Sequence, residues 1–568
     1  MFFPETPNSY EIPLPEYPRP QFVRNSYLCL NGLWDYIIST ENTIPSKYEG
    51  KIKVPFSPES SLSGVNKKLG VAETLWYRRT FDLTEDFMQD RLIINFGAVD
   101  FFADLYVNSS LVGCHAGGYT SFSFDITEFI HLGENEIVVA VRDESDTSYH
   151  SRGKQREKRG GIWYTSQSGI WQTVWLESVP SDYISSLLIV PSLARSSVSV
   201  TVRADSQSSA VIEFNGKSYA TKVNEPCEIR LDDFIAWTPE TPQLYEFSVT
   251  LGSDRVNSYF AMRSFSVEKD ELGTMRLFLN GKPYFHNGLL DQGYFGEGLY
   301  TPASDEMMIS DIVRTKEMGF NMLRKHIKIE PMRWYYHCDR LGVLVWQDMI
   351  NGGRHYNPLV ISTPLITKNH FKDSHYSWFA RSDKSGRDEY YRELEETVGQ
   401  LINVPSIAMW VLFNEGWGQF DAEKAYEKLL SLDKTRTVDH ASGWHDQGIG
   451  DIQSLHVYFM KYKFTPDKLG RAVILSEFGG YNYRVEGHSF NTRNFGYKNL
   501  KTPDELKNSL ESLYKPEIFP AIKEGLAAAV YTQLSDVEDE VNGLITHDRA
   551  EIKLPAEDIR KIVEYKNT

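Results

Sequence analysis

Residues 407–421 read I-A-M-W-V-L-F-N-E-G-W-G-Q-F-D. Ile407 to Phe413 is an unbroken apolar run of strand length, the pattern of a parallel-sheet strand covered on both faces. Asn414 and Glu415 follow at its C-terminal tip, before Gly416 and Gly418. In a barrel of eight parallel strands, such a tip faces the mouth, where side chains from several strand ends converge on a ligand. The stretch therefore predicts a (β/α)8 barrel with a carboxyl group at its open end.

Working outward, strands alternate with helices after about residue 266, the signal of βα units. Eight strand candidates stand out: Phe285–Leu290, Asn321–His326, Leu344–Asp348, Ile407–Asn414, Thr437–Ala441, Gln453–Tyr458, Ala472–Glu477 and Ala527–Leu534. Helical patterns fall between most of them, at Ser304–Met318, Met332–Leu341, Arg387–Leu401 and Ala422–Ser431. No G-x-G-x-x-G follows the first strand and no phosphate-cradling loop ends in Lys-Ser/Thr, so a dinucleotide or ATP fold is disfavoured.

Ahead of the barrel the chain reads as all-β. Segments at Leu30–Ile38, Leu75–Phe81, Arg91–Phe96, Ala103–Val107, Ile137–Val141 and Thr173–Leu176 predict a jelly-roll sandwich over residues 1–180. A second set, including Val198–Arg203, Ala210–Phe214, Glu228–Leu231 and Tyr245–Leu251, predicts an immunoglobulin-like sandwich over 181–265, leaving 266–568 for the barrel. Between strands of the first sandwich, Asp143–Lys158 is too polar for a core and is expected as an exposed loop able to reach a neighbouring domain or the cleft.

Composition narrows the function. A chain of 568 residues accommodates two to four domains, and its net charge of −17 opposes nucleic-acid binding, which needs a basic face. Cys29, Cys114, Cys227 and Cys338 lie far apart without a C-x-x-C pair, so they are expected to be reduced and mostly buried. The start M-F-F-P-E-T-P-N-S-Y lacks a basic segment followed by an apolar one, and no apolar run is long enough to span a bilayer; the reading is cytoplasmic, or periplasmic or secreted if a signal was trimmed, with no membrane partner. An oligomer is left open. No cofactor is called for.

Numbering the strands puts Glu415 at the tip of the fourth and Glu477, in V-I-L-S-E-F-G-G, at the tip of the seventh. One acid at a strand end also fits an ion pair, but two acids facing one mouth fit glycoside hydrolysis. There one carboxylic acid protonates the departing oxygen while the other attacks the anomeric carbon, and in retaining enzymes their carboxyls lie about 5–5.5 Å apart. The charge of one partner keeps the proton on the other near neutrality. Asn414 fits a bond to a sugar 2-hydroxyl or a strand-end turn, Arg324 fits holding its neighbour acid ionised or a structural ion pair, and Tyr458 fits orienting that acid through its phenol or packing in the core. Asp291, at the end of the first strand, fits an acceptor for a sugar hydroxyl and simple loop structure equally, and His456 fits a packed strand histidine as well as a ligand. Trp417, Trp444 and Trp346 each fit a sugar platform and core packing equally.

These residues reach a family. The order of sandwich, immunoglobulin-like domain and barrel resembles glycoside hydrolase family 2, as do S-G-I-W-Q-T-V-W-L-E (168–177), G-F-N-M-L-R-K-H (319–326), F-N-E-G-W (413–417) and S-E-F-G-G (476–480). The resemblance covers essentially the whole chain. It implies Glu415 as acid/base, Glu477 as nucleophile, and Asn414, Arg324 and His326 as the matching sugar-site residues. Departures bear on substrate. The second-strand motif continues His326-Ile327-Lys328 where the family has His-Tyr-Pro. The stretch M-I-N-G-G-R-H (349–355) lacks the acid with which large galactosidases hold magnesium, so no metal is expected. Glu540-Val541-Asn542 stands where glucuronidases of the gut-bacterial type carry Asn-x-Lys, and Tyr531 lies near where relatives carry tryptophan.

The expected function is a retaining exo-β-glycosidase acting on a carbohydrate, with a β-galactoside favoured by family frequency alone. A glucuronide, mannoside, arabinoside or galactofuranoside and transglycosylation remain alternatives, and a silent carbohydrate-binding protein is the alternative from another class.

Overall fold

The computed structural model describes residues 12–367 and 369–565; the opening segment read above for a leader lies outside the described residues. Among the described residues, no helix is long and apolar enough to cross a membrane.

The first sandwich pairs a six-stranded sheet with a four-stranded one. The larger runs in the order Gly50–Val54, Gly32–Ser39, Thr74–Leu83, Gly133–Arg142, Phe102–Val107, Ser110–Ala116, and the smaller Tyr27–Cys29, Val174–Val179, Arg91–Phe96, Phe122–Asp125. Period-two alternation decides which face is which. Along Gly133–Arg142, Ile137, Val139 and Val141 enter the inter-sheet core with Leu75, Tyr77, Ile94 and Leu176, while Val138 and Ala140 pack on Trp76 at the outer face.

The second sandwich sets Ser186–Ser192, Ser197–Arg203 and Pro226–Arg230 against Lys217–Lys222, Ser209–Phe214, Tyr245–Leu251 and Asp254–Phe260. Val198, Val200, Val202, Ile212, Val249 and Leu251 fill it. Arg24 joins the sandwiches: its guanidinium lies 2.9 Å from Glu177 of the first and 2.8 Å from Asp254 of the second.

The barrel strands are β1 (His286–Asp291), β2 (Met322–Lys325), β3 (Leu344–Asp348), β4 (Ile407–Val411), β5 (Thr437–Asp439), β6 (Ile452–Val457), β7 (Ala472–Gly479) and β8 (Ala528–Thr532). All ladders are parallel, in the order β5-β4-β3-β2-β1-β8-β7-β6, and the ring opens only between β5 and β6. Met322, Trp346, Met409, Ile474 and Val530 point inward, and the hairpin Phe265–Lys269/Met275–Leu279 closes the bottom with Phe265, Leu277 and Leu279. Alternate residues such as Leu323, Val345, Trp410 and Leu475 face the helices.

Two expectations need correction. Cys29 and Cys338 are buried, but Cys114 is exposed and Cys227 intermediate. The loop 143–158 is not exposed throughout: His150, Ser151, Arg152, Lys154 and Gln155 are buried. Its polarity is compatible with burial because the helix Lys384–Leu401 supplies partners. His150 Nδ1 lies 2.7 Å from Glu389, and the Ser151 hydroxyl donates to Glu393 at 2.7 Å.

Candidate active site

Glu415 and Glu477 meet at the mouth through two local departures from regular strand geometry. Asn414 bridges Ser442 beyond the end of β4, and Glu415 then takes a left-handed conformation (φ 51°), with its N–H bonded to the Ser442 carbonyl at 2.9 Å. Gly416 and Gly418 continue with positive φ, and a Cβ on Gly418 would lie 2.2 Å from the Gly352 carbonyl oxygen. On β7 the ladder register shifts against β6 and against β8 next to Glu477. Such irregularities re-aim a side chain beside a site. Ser476 therefore serves the interior, bonded to Ser442 and Ser454, while its neighbour Glu477 also reaches the mouth.

One oxygen from each carboxyl and one ring nitrogen of His456 lie within 4.8 Å of one another. His456 bridges the pair, with Nδ1 2.8 Å from Glu415 and Nε2 3.5 Å from Glu477 and 3.0 Å from the Ser442 hydroxyl. The trio is compact enough to hold a metal ion, but its polar atoms are already committed to each other and to Ser442, Arg324 and Tyr458. The same compactness suits two carboxyls acting on one bond.

Arg324, fully buried, fixes Glu477. Its Nη1 donates to Glu477 at 3.1 Å, its Nε and Nη2 grip Asp348 at 3.0 and 2.9 Å, and Nη2 also reaches the Asn414 Oδ1 at 2.8 Å. The Tyr458 hydroxyl donates to the other Glu477 oxygen and lies 3.0 Å from the Thr532 hydroxyl. Burial pushes the Glu477 carboxyl up, but the charges of His456 and Arg324 outweigh it and hold Glu477 well below the usual carboxylate range.

Around the pair, polar atoms stand unmatched. Burial and the nearby Lys154 charge hold His326 well below its ordinary value, so the ring is neutral. Its Nδ1–H then donates to Asp348 at 2.7 Å, leaving a buried Nε2 acceptor without a partner. Asn414 Nδ2 and Trp444 Nε1 are buried donors, likewise without partners. Buried polar groups are normally satisfied. This set matches a ligand rich in hydroxyls.

The remaining expected residues divide. Trp444 lies 6.3 Å from the His456 ring, and Trp417 packs 6.4 Å from His326 and 5.1 Å from Trp163 of the sandwich loop. Asp291 belongs to another network: it accepts from Lys325 at 2.5 Å and from the Gly293 N–H at 2.9 Å. Trp346 is fully buried, its Nε1 bonded to His286, and Tyr531 is fully buried against Phe478. The stretch 349–355 receives the sandwich loop, since the Asn351 carbonyl accepts from the Arg152 N–H at 3.0 Å and the Gly353 N–H donates to Tyr149 at 2.8 Å.

Sequence reasoning passed over Asp348, Thr532, Tyr497 and Lys154. Asp348 ends the apolar run L-V-W-Q-D, the same signal that drew attention to Glu415. Tyr497, stacked 3.9 Å from Tyr458, and Lys154 arrive on long loops, where periodicity carries no signal.

This barrel with paired mouth acids beneath two sandwiches is the architecture of a sugar-cleaving class. The sequence matches "Glycosyl hydrolases family 2, sugar binding domain" over residues 30–180 and "Glycosyl hydrolases family 2, TIM barrel domain" over residues 271–477, and the chain belongs to glycoside hydrolase family 2. A "Beta-galactosidase" of Thermoanaerobacter pseudethanolicus is 28% identical over 57% of this chain and 47% of its own length. A "Putative beta-glucuronidase" of Formosa agariphila is 26% identical over 60% of this chain and 39% of its own. The match thus spans less than half the length of these curated relatives. Among solved structures, a beta-D-glucuronidase from Dictyoglomus thermophilum superposes with TM-score 0.72 at 17% identity over 96% of this chain and 98% of that one. A GH2 beta-galacturonidase from Eisenbergiella tayi gives TM-score 0.72 at 18% identity over 97% and 100%. At these identities the likeness concerns the fold.

Proposed function

We propose that this chain is a retaining exo-β-glycosidase that removes a terminal β-linked sugar, with residues 266–568 as the catalytic domain and 1–180 and 181–265 as its sandwiches. The observation that carries the reading is the Glu415–His456–Glu477 cluster, whose ligand atoms fall within 4.8 Å. That spacing suits direct attack and leaves no room for a water opposite the acid.

Glu477, ionised between Arg324 and Tyr458, attacks the anomeric carbon, and the bond to the leaving oxygen breaks as Glu415 delivers its proton to that oxygen. Glu415, now a carboxylate, takes a proton from a water whose oxygen attacks the same carbon, and Glu477 leaves. The sugar departs with its β configuration restored. His456, 2.8 Å from Glu415, is placed to bond that carboxyl in both protonation states. His326 Nε2, Asn414 Nδ2 and Trp444 Nε1 are assigned to sugar hydroxyls. The end of a glycan chain suits a mouth walled on one side by the sandwich loop, where Ser151 bridges Gly352 and Trp163 packs on Trp417.

The test is hydrolysis of a panel of aryl β-glycosides by the wild type and Glu477→Gln, with the first-formed sugar followed by NMR. A β first product and a loss of at least about 10³-fold in the variant are expected. An α first product, or a variant as fast as the wild type, would overturn the reading.

A further inference from the structure

Lys154 comes from the polar loop of the first sandwich, far in sequence from the barrel, yet it is 94% buried, with 6% of its surface exposed. Its backbone is pinned: the Lys154 carbonyl accepts from the Tyr164 N–H at 2.9 Å, and two residues earlier the Arg152 N–H donates to Asn351 beyond β3. The ammonium lies 5.3 Å from the centroid of Trp417 and 5.8 Å from that of Tyr164. Trp417 follows Glu415 by two residues and lies 6.4 Å from the His326 ring, which places the ammonium at the barrel mouth.

A buried ammonium normally holds a carboxylate. Four lysines are buried among the described residues, and three obey: Lys325 is 2.5 Å from Asp291, Lys328 is 2.8 Å from Glu330, and Lys553 is 2.6 Å from Asp536. Lys154 differs. Among the described residues no carboxylate oxygen lies within ion-pair distance of its Nζ, and its hydrogen-bonding capacity there is unspent. The Trp417 and Tyr164 faces stabilise the positive charge without accepting its three N–H donors. Glu540 is engaged elsewhere, receiving the Tyr164 hydroxyl, and burial raises its carboxyl above the ordinary range while Lys154 pulls against that rise. Bonded to Tyr164, the Glu540 carboxyl does not come within ion-pair distance of the Lys154 ammonium.

We propose that Lys154 is a specificity-determining residue whose ammonium pairs with a carboxylate on the terminal sugar, so that the preferred substrates are β-uronides. The proposal rests on the glycosidase reading above and departs from the galactoside expected by family frequency. It also changes the meaning of Glu540, which stands where a carboxylate-reading motif occurs in other family members: here the cation is supplied by the sandwich.

The test compares kcat/KM on p-nitrophenyl β-galacturonide, β-glucuronide and β-galactoside for the wild type, Lys154→Met and Lys154→Arg. Binding of free galacturonate, glucuronate and galactose is followed by calorimetry. A uronide is expected to be the best substrate, and Lys154→Met should lower the uronide-to-galactoside ratio about 100-fold, the scale of a buried charge-assisted pair. Lys154→Arg should restore part of that ratio. A merely structural role would lower all three substrates together and leave the ratio unmoved, which would overturn the proposal, as would a wild type that prefers galactoside. If no glycoside is cleaved, the glycosidase reading fails, and the calorimetry still decides on Lys154. Uronate binding weakened about 100-fold by Lys154→Met supports the pairing, and equal or absent uronate binding in both proteins overturns it.

Discussion

The His456 imidazole stands 2.8 Å from the Glu415 carboxyl, and its other nitrogen faces Glu477 at 3.5 Å. One ring thus touches both acids, and it does so from the end of β6, the strand across the barrel's open seam from β5. A histidine in that position keeps the two carboxyls at fixed separation without joining them directly.

The roles assigned to the acids can be read from stereochemistry. Removing the Glu415 side chain should leave attack by Glu477 on an activated aryl glycoside intact and slow the release of the sugar. Added azide would then enter the face vacated by the leaving group and give a β-glycosyl azide. Glu477→Ala should lose at least about 10³-fold in kcat and, with azide in place of the nucleophile, give the α-azide. NMR of the two products checks this, and exchanged anomers would reverse the assignment.

In the proposed mechanism, His456 and Arg324 together set the acid limit of activity. Glu477 must be ionised to attack, and with its carboxyl held well below the usual range, activity should persist as pH falls until that low value is reached. In Arg324→Met, burial is opposed by less positive charge, so the acid limb of kcat/KM should move to higher pH by about one unit or more. Arg324→Lys should fall between, because an ammonium cannot grip Asp348 through two nitrogens while touching Glu477 and Asn414. An acid limb unmoved in both variants would assign the ionisation of Glu477 to His456 instead.

Much of this was legible in the sequence, and the boundary is physical. Buried parallel strands are continuous apolar runs, so all eight barrel strands could be found within a few residues, and an acid ending such a run points to the mouth. The alternating pattern of Gly133–Arg142 likewise announced a sandwich. Strand periodicity alone, however, would place Ser476 and Glu477 on opposite faces; the register shift that brings both inward is a property of three strands together. Asp291 carries the same strand-end signal as Glu415, but Lys325, next to Arg324 on β2, claims it. Lys154 was hidden for another reason. A charged loop reads as solvated unless its partners are known, and those partners, Glu389 and Glu393, lie more than 230 residues away.

Those partners also make the sandwich–barrel contact sensitive to pH. Burial, then the charge of neighbouring Glu389, pushes the Glu393 carboxyl up to about 8 from an ordinary value of 4.5. A carboxyl whose folded value is raised binds its proton more tightly in the native state, so its contribution to stability is fully present below 4.5 and is lost as pH rises through about 8. Glu393→Gln keeps the shape and an acceptor for the Ser151 hydroxyl while removing the titration. Calorimetric unfolding should therefore show the variant gaining a few degrees over the wild type at pH 9 and little at pH 5; parallel curves across that range would refute the assignment of Glu393. Because Ser151 stands three residues from Lys154, ionisation of Glu393 should also loosen the loop that carries the ammonium. The alkaline rise in KM for a uronide should then be smaller in Glu393→Gln than in the wild type.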